Sequence, residues 1–157
     1  MKVKIITKDC IEKNLGIPII FVRLHGAVDY GFNFLIDTSV KYNLIDTCFY
    51  KDWIMSTSEE TVLPPTPTQS ILAKFPPISA FYQEKGERRV MCKDGLKRVC
   101  KVIKIDFIID DRKYSEMFAL DESLCPYFHS KKTKIIAGIL GNGFLKKHRW
   151  ILDYSAK

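Results

Sequence analysis

Phe34-Leu35-Ile36-Asp37-Thr38-Ser39 sets a carboxylate directly after an apolar run and before a hydroxyl. Taken alone, an aspartate in that place starts a turn, since its side chain bonds the backbone two residues on. The residues upstream add more. Ile17 to Leu24 is β-branched and apolar, and Phe32 to Ile36 is a second such run. Between them His25-Gly26-Ala27-Val28-Asp29-Tyr30-Gly31 carries the glycines of a hairpin connection. The pair is expected to form an antiparallel hairpin whose second strand feeds straight into Asp37.

Downstream, Asn43 to Asp46 resumes as a short strand, and Cys48 to Met55 has room for one or two helical turns. Five of the seven prolines fall between Ser56 and Pro77. A paired central strand cannot hold that density, so a surface excursion is expected over about 56–87. Arg88 to Lys104 alternates around Lys93-Asp94-Gly95, where Asp-Gly signals a hairpin turn. Val102 to Ile109 continues as a strand, Asp110-Asp111 turns it, and Lys113 to Leu120 returns. Lys134 to Leu140 reads as a buried strand, Gly141 to His148 as a short helix with Phe144 and Leu145 on its apolar face, and Trp150 to Tyr154 as a last strand. Val3 to Ile6 is expected as a short edge strand. No internal repeat is visible. Many short strands joined by hairpins predict a single all-β domain over 1–157, a barrel or a sandwich.

Composition narrows the class. The chain has 157 residues, 46% apolar and 27% charged, which excludes a disordered chain, a collagen-like repeat and a coiled coil. The longest apolar stretches, Ile17 to Val22 and Ile135 to Leu140, are six residues each, against roughly 20 for a membrane-spanning helix. The first residues reach Thr7, Lys8 and Asp9 too soon for a signal-peptide core. A formal charge of +7 favours acidic partners. Glu84 to Lys104 holds eight Lys or Arg against three acids, and Lys131 to Arg149 holds six with none. Outward charges on alternating strands are expected to solvate an outer face, and the aromatic interleaving of a single-strand binder is missing. Nucleic acid is therefore not the expected partner. The five cysteines are odd in number, without Cys-x-x-Cys, and the three histidines are scattered. No zinc ligand set can be read from that spacing. Free thiols in a reducing cytoplasm are expected, and Cys92 and Cys100 could face each other only across an odd-length turn. Trp53 and Trp150 are expected as core or interface aromatics, and His148 at a helix end.

The second distinctive segment is Ile139-Leu140-Gly141-Asn142-Gly143-Phe144-Leu145-Lys146-Lys147-His148, followed by Trp150-Ile151-Leu152-Asp153-Tyr154. The two segments together, in this order, resemble the retropepsin-like aspartic proteases. In that family an apolar strand delivers Asp-Thr-Gly or Asp-Ser-Gly, and a later Ile-Leu-Gly-x-x-Phe-Leu segment enters the single helix. The resemblance implies a closed acid-protease-like barrel with one short helix near the C-terminus. It makes Asp37 the catalytic carboxylate and Thr38 the hydroxyl that braces it. Ser39 and Val40 become the active-site loop, and Lys93, Asp94, Gly95 and Leu96 the tip of a flap. Gly141, Asn142 and Gly143 become the structural motif at the helix entrance.

Peptide hydrolysis in this family uses a water between two carboxylates that share a proton, because two so close cannot both ionise. This chain has one Asp-Thr-Ser. Asp46-Thr47-Cys48 follows too closely to start a second lobe. The resemblance therefore implies a homodimer, each copy giving one Asp37, with its termini building the intersubunit sheet. It further implies an extended or unfolded polypeptide as substrate and neither metal nor organic cofactor. Ser39 stands where the family has glycine, and Val40 where a small residue is usual. The Ser39 side chain occupies space near the substrate main chain, which motivates an alternative: a catalytically inactive binding or dimerisation module of the same fold.

Overall fold

The computed structural model describes residues 2–4, 11–24, 31–55, 82–133 and 135–153. In chain order the strands are β1 (Lys2–Lys4), β2 (Ile11–Glu12), β3 (Ile17–Leu24), β4 (Gly31–Asp37) and β5 (Leu44–Asp46). They continue as β6 (Tyr82–Met91), β7 (Lys97–Ile109), β8 (Arg112–Asp121), β9 (Ile136–Gly141) and β10 (Ile151–Asp153). Helix α1 (Thr47–Phe49) runs into a π-helical turn (Tyr50–Met55), α2 is Leu124–Ser130 and α3 is Asn142–Lys147. Among the described residues no helix is long and apolar enough to cross a membrane. The connection at 25–30 and most of the proline-rich excursion, 56–81, lie outside the described residues.

One eight-stranded sheet runs β2-β3-β4-β9-β5-β8-β7-β6. Its strands β3 and β7 also pair, Arg23 opposite Ile108 and Leu24 opposite Phe107, which closes six strands into a barrel. The expected all-β barrel is thus present. Its turns follow local chemistry. Gly95 takes φ +86°, its N–H bonds the Cys92 carbonyl, and the Cys92 N–H bonds that of Leu96. That is a three-residue hairpin loop with glycine in the left-handed position. Asp110 and Asp111 both have positive φ, as a tight two-residue hairpin requires.

β9 lies between β4 and β5, parallel to the first and antiparallel to the second. It is buried along its whole length, and so are the last four residues of β4. Strands covered on both faces read as continuous apolar runs. Phe34 and Ile36 face one core cluster with Phe107, Phe118 and Leu140, while Leu35 faces another with Leu44, Ile139 and Phe128. The insertion needs glycine at two places. A Cβ on Gly138 would meet the Leu44 carbonyl oxygen and lie 3.1 Å from the Ile45 Cα; one on Gly141 would lie 2.6 Å from the Tyr42 carbonyl oxygen.

Two expectations need correction. The barrel carries more than the one helix near its C-terminus: α1 and the π-helical turn form the helical turns expected over Cys48 to Met55, and α2 is a further helix. α2 hides in the sequence because it is seven residues long and contains Pro126. The proline sits in the first turn, where its missing N–H has no intrahelical partner to lose, and Leu124 and Phe128 bury one face. The excursion also ends sooner than about 87, because β6 begins at Tyr82. Residues 83–89 of this edge strand are all exposed, so no alternation marks them, and Gly86, at φ +83°, sits where the pairing register shifts.

The close approach of β9 yields a stability prediction. Gly138→Ala should destabilise the chain by roughly 1–3 kcal/mol or more through overpacking against backbone. Urea midpoints at unchanged slope would measure it. A midpoint equal to that of the parent would contradict the insertion of β9.

Candidate active site

Asp37 ends β4 opposite Gly141 of β9, and the chain turns at once through Thr38 and Ser39. One carboxylate oxygen, Oδ1, accepts the Ser39 N–H at 2.9 Å and the Ser39 hydroxyl at 2.6 Å. The other, Oδ2, accepts from the Lys93 ammonium at 2.6 Å. Asp37 is only 6% exposed. Burial pushes its carboxyl up, but the hydrogen bonds from Lys93 and Ser39 outweigh it and hold the pKa below the ordinary 3.8. Thr38 is exposed at the turn.

The Val40 and Lys41 carbonyls accept the N–H groups of Asn142 and Gly143, which satisfies two of the free donors at the start of α3. Asn43, unremarked in the sequence, is the joint between the strands. Its side-chain oxygen accepts the Gly141 N–H, its amide donates to the Met117 carbonyl, and its own carbonyl accepts the Ala119 N–H.

The β6–β7 hairpin leans over this floor. Lys93 is the contact: its side chain reaches Asp37, its ammonium lies 5.1 Å from the centre of the Tyr127 ring, and its backbone N–H bonds Asp121 Oδ2 at 2.7 Å. Asp94 pairs with Arg98 through both carboxylate oxygens and accepts the Leu96 N–H, which stiffens the tip. Gly95 lines the cleft and Leu96 stands exposed. The cleft has a volume of about 590 Å³. Lys41, Arg89, Lys93 and Lys97 line it, with no Asp or Glu among the lining residues.

Asp121 is a second residue that sequence reasoning missed. It ends β8 as Asp37 ends β4, and its Oδ1 accepts the Ser123 N–H at 2.8 Å and the Ser123 hydroxyl at 2.6 Å. The shared signal is Asp-x-Ser at a strand end. The strands repeat too: β4 runs parallel to β9 as β8 runs parallel to β5. The repeat invisible in the sequence is therefore present in the architecture. Asp121 is fully buried.

The other expected residues lie elsewhere. His148 ends α3 and sits 2.6 Å from Glu116, away from the cleft. Trp150 packs on Phe144 in the core, as expected; the Trp53 side chain lies outside the described residues. Cys92 and Cys100 are buried with their sulfurs 3.6 Å apart, and the four described cysteines are free thiols. No protein-family model and no curated protein matches this chain.

The ion pair fixes the sign of a pH effect. Asp37 has a lowered folded pKa, so its contribution to stability is full above the ordinary 3.8 and is lost as pH falls through the lowered value. Lys93→Met removes the cation and leaves the burial. The Asp37 titration, followed by carboxyl-carbon NMR, should then move upward, and the protein should become less stable at neutral pH. An unmoved titration would mean that Lys93 does not hold Asp37 ionised.

Proposed function

We propose that this chain is a homodimeric aspartic endopeptidase of the retropepsin-like kind. The observation that carries this reading is the placement of Asp37. A buried carboxylate ends an apolar strand, and its two oxygens are held by Ser39 and Lys93, both of which line a cleft beside the hairpin. In the dimer the Asp37 carboxylates of two copies meet at the two-fold axis and share one proton. The ionised one takes a proton from water as the water attacks the peptide carbonyl carbon. The protonated one donates to the carbonyl oxygen. The tetrahedral intermediate then collapses and the amine leaves with a proton. Thr38, exposed at the turn, would brace the pair across the axis. Lys93 has to release Asp37 before this pair can form.

Two further observations support the reading. β1 and β10 form a separate two-stranded parallel sheet. Two strands are marginal alone, and the same pair from a second copy would extend them. The cations of the cleft suit an extended peptide bearing acidic side chains, which the exposed hairpin would pair as an added strand. Such a site sits with a reducing compartment, as the free thiols of the described cysteines suggest.

A second reading, a peptide-binding module without hydrolysis, is favoured by the Lys93–Asp37 ion pair. That contact occupies the oxygen a shared proton would use, and Ser39 adds a side chain where the family has none.

The experiment separates the two. Sedimentation at micromolar concentration should show a dimer, and a strict monomer removes the two-carboxylate mechanism. Cleavage of an unfolded, Glu-rich polypeptide should vanish in Asp37→Asn while the fold survives, with a thermal midpoint lowered by loss of the ion pair to Lys93. Ser39→Gly should raise the rate. If the parent and Ser39→Gly are both inactive at acidic and neutral pH, yet bind an acidic peptide by fluorescence anisotropy, the chain is the binding module.

A further inference from the structure

Away from the cleft, the start of α1 meets α2. Asp46 ends β5 and caps α1, its Oδ1 accepting the Cys48 N–H at 3.0 Å. Cys48 is exposed on α1, and Cys125 is half-buried on α2. A carboxylate oxygen of Asp46 and the two sulfurs all lie within 4.8 Å of one another. Asp46 itself is 8% exposed. His129 follows Cys125 by four residues on α2, so both belong to one helix face.

We propose that Asp46, Cys48, Cys125 and His129 bind one zinc ion. Four ligands of this kind make a closed tetrahedral structural site. Bonds of about 2.3 Å to sulfur and 2.0–2.2 Å to oxygen and nitrogen put neighbouring ligand atoms roughly 3.3–3.8 Å apart in a tetrahedron. For the Asp46 oxygen and the two sulfurs this asks for a contraction of at most roughly 1.3 Å, and His129 has to swing in from the next turn of α2. Two sulfurs select a borderline-soft ion over magnesium or calcium, which take oxygen ligands. The N-cap hydrogen bond from Cys48 orients the carboxylate, as an outer contact does for a metal ligand. Binding replaces two S–H bonds with two Zn–S bonds and releases two protons, so affinity rises with pH. No electron moves.

The site is independent of hydrolysis at Asp37. It would staple α1 to α2, directly beside the Asp121 box, since Asp46 and Asp121 are register partners on β5 and β8. Sequence spacing conceals it because Cys48 and Cys125 are far apart in the chain and neither belongs to a Cys-x-x-Cys.

The test uses the full chain, stripped with a chelator and kept reduced with a phosphine. Cobalt(II), added as a spectroscopic substitute, should give a thiolate-to-cobalt charge-transfer band and tetrahedral d–d bands at one equivalent, both removed by zinc. Zinc should protect two thiols from alkylation, identified by peptide mass spectrometry as those of Cys48 and Cys125. His129 and Cys48 are exposed, so His129→Ala and Cys48→Ser should fold, and each should weaken zinc by at least roughly tenfold. Absence of the thiolate band in the parent chain overturns the proposal. So does protection at Cys92 and Cys100 instead, or an affinity unchanged by His129→Ala.

Discussion

β9 passes so close to the strand and loop beside it that two of its residues can have no side chain. Gly138 lies against the backbone of Leu44 and Ile45, and Gly141 against the carbonyls of Tyr42 and Val40. Everything at the site follows from that steric constraint. With β9 in place, the second half of β4 is buried on both faces and its end is pinned beside Gly141, so Asp37 emerges at a fixed height. The same approach brings Asn142 and Gly143 against the carbonyls of Val40 and Lys41 and starts α3 there. Asn43 then meets the polar groups left where the strands part, taking the Gly141 N–H.

On that frame the barrel presents two chemically similar carboxylates in different surroundings. Asp37 and Asp121 each hold a following serine through one oxygen. At Asp121 the remaining oxygen binds a backbone amide in the interior, so the group serves the fold. At Asp37 it binds an ammonium on a long stem, which can be exchanged for something else. Electrostatics also divides the surface. Asp94 is paired with Arg98 at the outer tip, and the cleft wall carries Lys41, Arg89 and Lys97 beside the paired Lys93.

Local chemistry was legible in the sequence wherever a few neighbouring residues decide the backbone. Asp94-Gly95 and Asp110-Asp111 specify their turns through left-handed conformations, and Phe34 to Ile36 and Ile136 to Leu140 specify buried strands through unbroken apolar runs. α2 was not legible, because seven residues with a proline give too little periodicity. Nor was the start of β6, an edge strand exposed from Gln83 to Arg89. At the site, Asp37 with its following hydroxyl residues stood out as a short motif. Lys93, placed as one residue of a hairpin tip, gave no sign of its reach to Asp37, since 56 residues separate the partners and only the closed sheet brings them together. Asp121, Asn43 and the Asp46–Cys48–Cys125 group were concealed for the same reason.

Lys93 holds the hairpin to the barrel by two separate means, its backbone amide on Asp121 and its side chain on Asp37. The two differ in speed. Turning one lysine side chain away is a local rotamer change, whereas lifting a strand pair is a collective motion of microseconds or longer. The carboxylate can therefore be uncovered while the hairpin stays anchored to Asp121. Small molecules and solvent would reach Asp37 on the fast clock. An extended chain, which has to pass under the hairpin, would wait for the slow one.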